Sequence, residues 1–279
     1  MSMARSLLIR RTLVYIVMIV TVLLTIAPFV LVISTSLKTT NEININGPLA
    51  LPEIFQWGNY TRIWDVGNFL TYYKNSVIVT VVVVAFVVVL SLLAAYPLAF
   101  FKFKGKGVFF LIVLWGLTVP LDLIIIPLFN NLKSMGLLNT IWSLILPQIA
   151  MNIPFAIFLL RGFMKDLPMA LLESARMDGS TEAKNLYYII MPMLYAPMVS
   201  LILLTAIATW NNFMLPTILI QNDALRTLPV GLNYFQTKFT MDYPMVATAA
   251  VVSAIPTALA YIVFQRNILT GVMVGALKE

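Results

Sequence analysis

Long uncharged intervals recur along the chain. They run from Arg11 to Lys38, Lys74 to Lys102, Lys106 to Lys133 with only Asp122 inside, Lys133 to Arg161, Lys184 to Asp223, and Asp242 to Arg266. A membrane-crossing helix needs about 20 predominantly apolar residues, so five of these intervals accommodate one helix each. The interval after Lys184 holds 38 uncharged residues, which as one helix would extend about 57 Å. That is too long for one crossing and too short for two with a turn, and Pro192, Pro197 and Pro216 divide it. The pattern predicts an all-α, polytopic integral membrane protein with six transmembrane helices. The first lies within 1–34, and the others at about 75–100, 108–131, 141–160, 193–216 and 244–264. Residues 35–71 form an external segment, 217–243 a second external stretch, and 266–279 a cytoplasmic tail. The first helix is expected to be retained as an anchor. Its apolar run is longer than the core of a signal peptide, and no A-x-A cleavage site closes it.

Lys and Arg concentrate in cytoplasmic loops. With the N-terminus inside, 12 basic residues fall inside, led by Arg5, Arg10, Arg11 and the turn Lys102–Lys104–Lys106, against 6 outside, Lys38, Arg62, Lys74, Lys133, Arg226 and Lys238. Both termini are then cytoplasmic. The composition agrees: 61% of residues are hydrophobic and 10% charged, whereas a soluble domain has about 45–50% and 25%. The net charge of +7 becomes a topology signal, with no nucleic-acid partner implied. The chain has no Cys and no His, which removes disulfides, thiolate nucleophiles, the usual metal ligands and the usual general base. No P-loop pattern occurs; Gly105-Lys106-Gly107 is a basic turn without its Ser/Thr. The chain is therefore not expected to hydrolyse ATP or to hold a cofactor or metal. Its 15 Met residues read as packing filler.

One inside loop is long, about 161–191. Asp166 is a plausible N-cap with Pro168 in the first turn, so Leu167 to Met177 reads as a short helix. Gly179 suits a position of positive φ just past its end. Ser180 can cap a second short helix running to about Met191, with Glu182 near its positive dipole end, and Pro192 would start the next element. A rigid helix pair carrying Glu173, Arg176, Asp178, Glu182 and Lys184 suits docking to a cytoplasmic partner better than mere connection.

At this loop the sequence resembles the binding-protein-dependent ABC importer permeases. Their mark is E-A-A, Gly three residues on, and I-x-L-P after nine more. Here it stands as Glu173-Ser174-Ala175-Arg176-Met177-Asp178-Gly179 and Ile189-Ile190-Met191-Pro192, with Ser174 for Ala and Met191 for Leu. Flanking stretches are similar to the carbohydrate-uptake branch: Arg161-Gly162-Phe163, Gly136-Leu137-Leu138-Asn139-Thr140, Trp210-Asn211-Asn212-Phe213, Leu228-Pro229-Val230-Gly231-Leu232 and the tail from Gln265. Together they cover roughly 70–279. The resemblance implies a type I importer permease fold in a bacterial or archaeal cell membrane. It implies a second, non-identical membrane subunit, an external solute-binding protein, and cytoplasmic ATP-binding subunits that hold the ATP and Mg. Glu173, Ser174, Ala175, Gly179 and Pro192 would belong to the ATPase contact, with Arg176, Asp178 and Glu182 as ion-pair partners in it.

Candidates for the solute path follow from what sugars need, amides for hydroxyls and aromatic faces for rings. They are Trp210, Asn211, Asn212 and Phe213, with Asn152, Phe155, Gln148 and Tyr234. Each also fits interhelical packing. Asp122 is the only acid inside an expected span, where charge is costly. It is either a cavity-lining group or a structural acid near the outer end. Trp57, Tyr60 and Trp64 in the first external segment suit an interfacial belt or a partner surface. An ion-coupled secondary transporter using Asp122 is the alternative class. It is weaker, because proton coupling draws on membrane acids or His, and only Asp122 is available.

Overall fold

The structure of the protein, a computed structural model, describes residues 2–66, 68–232 and 242–276, with side chains described for 10–66, 68–232 and 242–265. The regular elements among the described residues are helical: α1 Ser2–Ser36, α2 Thr40–Asn46, α3 Gly58–Arg62, α4 Phe69–Phe100, α5 Lys106–Gly116, α6 Leu121–Ser134, α7 Trp142–Lys165, α8 Met169–Met177, α9 Glu182–Lys184, a π-helical turn Asn185–Ile190, α10 Met191–Met193, α11 Tyr195–Trp210, α12 Met214–Leu219, a 3₁₀ turn Asp223–Leu225, α13 Leu228–Gly231 and α14 Tyr243–Ala276. Among the described residues four helices, α1, α4, α7 and α14, are long and apolar enough to cross a membrane, and up to six crossings result if each of two bent pairs is one span. The contacts divide the chain into one unit of 1–69 and 232–255 and another of 70–231 and 256–279.

In the first unit, polar groups knot the segment after α1. Ser36 is buried and meets Tyr60 Oη at 2.6 Å, while its carbonyl accepts from Asn59 Nδ2 and Thr248 Oγ1. Lys38 is also buried, and its ammonium donates to the Pro48 carbonyl at 3.0 Å. Thr39 caps α2 by accepting from Glu42 N–H. Residues 36–60 are thus a folded segment. The apolar stretch of α1 above it is exposed all round within the chain.

In the second unit α7 is central. Leu144, Ile145, Ala156, Ile157, Leu160 and Met164 are buried along it, and α5, α11 and α12 pack on it. Contacts close the unit at two ends. At one, Lys106 Nζ donates to the carbonyls of Ala99 and Phe101, Arg161 Nε donates to Leu98 O at 3.0 Å, and the Arg161 guanidinium lies 3.6 Å over the Phe110 ring. At the other, Asn139 stands at φ +60 and its Oδ1 accepts from Gln221 and Asn222 N–H, at 3.0 and 2.7 Å. Gly136, at φ +70, ends α6 so that Leu137 N–H reaches the Leu132 carbonyl, a glycine-closed helix terminus. These bonds account for the Gly136–Thr140 motif.

The structure corrects several expected boundaries. The span expected at 108–131 is two helices, α5 and α6, bent by 97°. Leu117 and Thr118 N–H fall back on the Leu114 and Trp115 carbonyls, and Pro120 supplies no donor to continue the helix. Asp122 therefore lies in the exposed first turn of α6, just after the break of the bent pair, where a carboxylate suits the helix dipole. Asp166 terminates α7 instead of capping the next helix, and Pro168, with extended ψ, precedes α8. Thr181 rather than Ser180 caps α9 through a bond from Lys184 N–H. The break before the fifth span falls at Leu194, not Pro192; Glu182–Met193 and α11 meet at 81°. The helix expected at 193–216 ends at Trp210, and α12 follows separately. Helix α14 runs on to Ala276, across the expected tail boundary.

Candidate functional site

The loop between α7 and the α9–α10 run is a bent helix pair. Helix α8 buries Leu172 and exposes Glu173, Ser174, Asp178 and Met177, the last at 88%. It ends on Gly179 at φ +77, with Gly179 N–H bonded to Arg176 O and Ser180 N–H to Ala175 O. That paired closure satisfies the last carbonyls and needs a left-handed residue, so Gly179 is fixed by backbone geometry. A Cβ at Gly179 would meet nothing within 4 Å; only its φ is restrictive. Ser174 Oγ bonds back to Leu171 O on its own helix.

Inside the bend, Arg176 Nε and Nη2 donate to the two Glu182 oxygens at 2.8 and 3.2 Å. Tyr96 Oη, from the end of α4, donates to Glu182 Oε2 at 2.6 Å. The Tyr96 ring is buried and edge-packed on Phe100 and Phe101. The Arg176 hydrogen bond holds the Glu182 carboxyl below the usual carboxylate range, against a smaller upward pull from burial. The bond to Glu182 in turn raises Arg176. Arg176 and Glu182 are thus satisfied within the chain, which leaves Glu173, Met177 and Asp178 as the outward face. Pro192 lies within α10, beside the exposed Tyr187, Tyr188 and Tyr195.

Sequence reasoning missed Tyr96, because nothing local joins it to a residue 86 positions on. Met177 was missed because it lies between charged neighbours in a loop read for its charges. High apolar exposure is visible only once Leu172 is known to be the buried member of the helix.

Among the described contacts, a hydrogen bond joins the solute-path candidates Asn152 and Gln148 within α7, and none joins candidates on different helices. Trp210 is buried edge-on to Tyr73 at 5.5 Å and lines a small apolar groove with Thr80, Ala206 and Pro256. Asn211 Nδ2 donates to Ile207 O, and Asn152 Nδ2 to Gln148 O. Gln148 does the same to Leu144 O. Asn212 Oδ1 accepts from Leu215 N–H at the start of α12. Phe155 packs against the core and Phe213 is exposed. Tyr234 and Lys238 lie outside the described residues, as do the side chains of Arg5 and Arg266.

Residues 87–272 match the family described as the binding-protein-dependent transport system inner membrane component. The chain is similar to the diacetylchitobiose uptake system permease protein NgcG of Streptomyces coelicolor, 34% identical over 91% of this chain and 84% of that protein. It is likewise similar to the arabinooligosaccharides transport system permease protein AraQ of Halalkalibacterium halodurans, 31% identical over 90% of each. Its fold matches a chain of a bacterial ABC transporter involved in the import of the acidic polysaccharide alginate, with a TM-score of 0.82, 22% identity and coverage of 94% and 97%. The chain therefore belongs to the binding-protein-dependent ABC importer permeases, as a multi-pass inner-membrane component whose ATPase is a separate subunit.

Proposed function

We propose that this permease forms half of a path for a sugar or oligosaccharide and receives a cytoplasmic ATP-binding subunit on the loop 161–192. The observation that carries the docking role is α8 itself. It is a short helix held rigid by the Gly179 closure and by Leu172, with Glu173, Met177 and Asp178 turned outward. Met169, Leu171 and Met177 all expose apolar side chains on this one short helix, a cluster that a protein partner covers and that water does not favour. The sugar class rests on the two relatives named for chitobiose and arabinooligosaccharides. The remaining partners are a second, non-identical membrane subunit, an external binding protein and the bilayer.

Six crossings with both termini cytoplasmic belong to this proposal, and contacts within the second unit bear on four of them, α4, α5–α6, α7 and the run α9 to α12. Arg161 and Phe110 put the start of α5 at one end of α7, and Asn139 puts the end of α6 at the other. The α5–α6 pair thus traverses the length of α7 and counts as one broken span. Glu182 lies at the Tyr96 end, and Gln221 at the Asn139 end, so the run from α9 to α12 traverses it too. The basic bias then sets residues 101–107 and 161–192 inside.

Mild solubilisation followed by identification of co-purifying chains tests the assembly. An ATPase and a second permease are expected, and purification as a lone active transporter would refute it. The solute class is tested by measuring which labelled oligosaccharides the cognate binding protein retains. Binding of amino acids or peptides in place of sugars would overturn it.

A further inference from the structure

The geometry points to α4 as a strut that carries movement of the 161–192 loop across the membrane to the 223–228 loop, with Tyr96 as its positioning residue. The inference rests on the docking reading above. Among the described residues, the hydrogen bonds that join α4 to other elements lie at its two ends. At one end Tyr96 Oη holds Glu182, which Arg176 clamps on α8. At the other, Tyr72 Oη donates to Asp223 Oδ2 at 2.7 Å, Asn75 Nδ2 donates to the carbonyls of Ala224 and Arg226, and Ser76 Oγ accepts from Leu228 N–H. Gly231 fits only because it lacks a side chain; a Cβ there would run into the Tyr72 ring. The 24 residues from Tyr72 to Tyr96 span about 36 Å of helix, more than the ~30 Å hydrocarbon core.

The middle of α4 is attached differently. Val79, Val83, Val87, Ser91 and Ala95 are buried at four-residue spacing, and Ser91 bonds only to its own helix at Val88 O. Apolar contact is non-directional, so this seam tolerates small sliding or rotation; the further bond at the Tyr96 end, from Arg161 Nε to Leu98 O, comes from the start of the same 161–192 loop. A displaced docking loop would pull on Glu182, hence on Tyr96, and the rigid helix would deliver the displacement to Asp223, Ala224 and Arg226. Tyr96 acts through Glu182 and touches no solute in this scheme.

The chain has no Cys, so single dye labels can be placed without background from it. One label goes on Lys165→Cys, an exposed position of the 161–192 loop away from the Glu173, Met177 and Asp178 face, and another on Ala224→Cys, on the far loop. The complete complex, with cysteine-free partner subunits, is placed in lipid vesicles and compared with and without Mg-ATP and vanadate. Both labels are expected to respond in the otherwise native chain. In Tyr96→Phe the Lys165→Cys response should persist, while the Ala224→Cys response falls at least about fivefold, the low end of usual coupling between sites. Asn75→Ala, at the opposite end, should give the same split and serves if Tyr96→Phe does not assemble. An undiminished Ala224→Cys response in both variants overturns the strut. So does a far label that is silent in the native background, or an equal loss at both labels. A silent Lys165→Cys label in the native background overturns the docking reading itself, and the strut with it.

Discussion

At Gly179 the constraint is backbone alone. The residue stands at φ +77 with open space where a side chain would go. A β-branched residue is a genuine outlier there, at a cost of about 1–3 kcal/mol, whereas Asn visits this region readily. Gly179→Val is therefore expected to lose ATPase co-purification while the protein still inserts, and Gly179→Asn to retain it. Equal recovery from both would contradict the role of the bend. Glu182 gives a second prediction, from its lowered pKa. A carboxyl whose folded pKa is depressed contributes stability above its unfolded value of about 4.3, lost as pH falls through the folded pKa. Its side chain is 42% exposed, so the pair with Arg176 contributes no more than about 1 kcal/mol. Glu182→Gln should lower the thermal midpoint slightly at neutral pH and not at pH 3; an equal deficit at both would point to packing. The sequence makes Gly179 legible because helix termini have a local signature. It makes Arg176 and Glu182 legible as charges but not as each other's partners, because pairing depends on how the loop folds back.

Helices α5 and α7 meet where Gly116 faces Pro154. A Cβ at Gly116 would sit 2.7 Å from Pro154 Cγ, and a proline ring cannot swing away. Gly116→Ala must separate the two helices or strain the ring, which usually costs about 1–3 kcal/mol. Unfolding temperature in detergent should fall, and pairing Gly116→Ala with Pro154→Ala should recover part of the loss. Additive losses would mean the contact is not the cause. Neither residue is conspicuous in the sequence, because each reads as an ordinary membrane-helix Gly or Pro. The same limit hid the 97° bend between α5 and α6. A Pro in an apolar run is compatible with a straight, kinked or broken helix, and the choice falls to the carbonyls that Leu117 and Thr118 find. By contrast α4 and α7, read from long uncharged runs, are legible to within six residues; each runs past the charge taken as its limit, α4 back through Lys74 to Phe69 and α7 on through Arg161 to Lys165. The Asn139 clamp lies between these cases. Its motif is visible, but its bonds to Gln221 and Asn222 cross more than 80 residues.

Across the second unit, helices α5 and α6 are about 16 and 21 Å long, so neither alone spans a ~30 Å core. Two topologies remain for such a pair: a broken crossing, or a re-entrant hairpin that returns to its own side. They predict opposite positions for the ends. Arg161 and Phe110 fix the start of α5 beside the last turns of α7, and Asn139 lies just before the first turn of α7. The stretch from Trp142 to Arg161 is about 28 Å, close to the full hydrocarbon thickness, so a broken crossing would put the two ends on opposite faces. Lys104 and Met135 are both exposed, flank the pair, and can each be changed to Cys in a chain that has none. In inside-out and right-side-out vesicles a membrane-impermeant maleimide should label Lys104→Cys only from the cytoplasmic face and Met135→Cys only from the other. Labelling of both from one face would make the pair re-entrant. It would also leave the 161–192 loop on the side away from the ATPase if the basic turn 101–107 is inside, so the same measurement tests whether the docking loop can reach its partner at all.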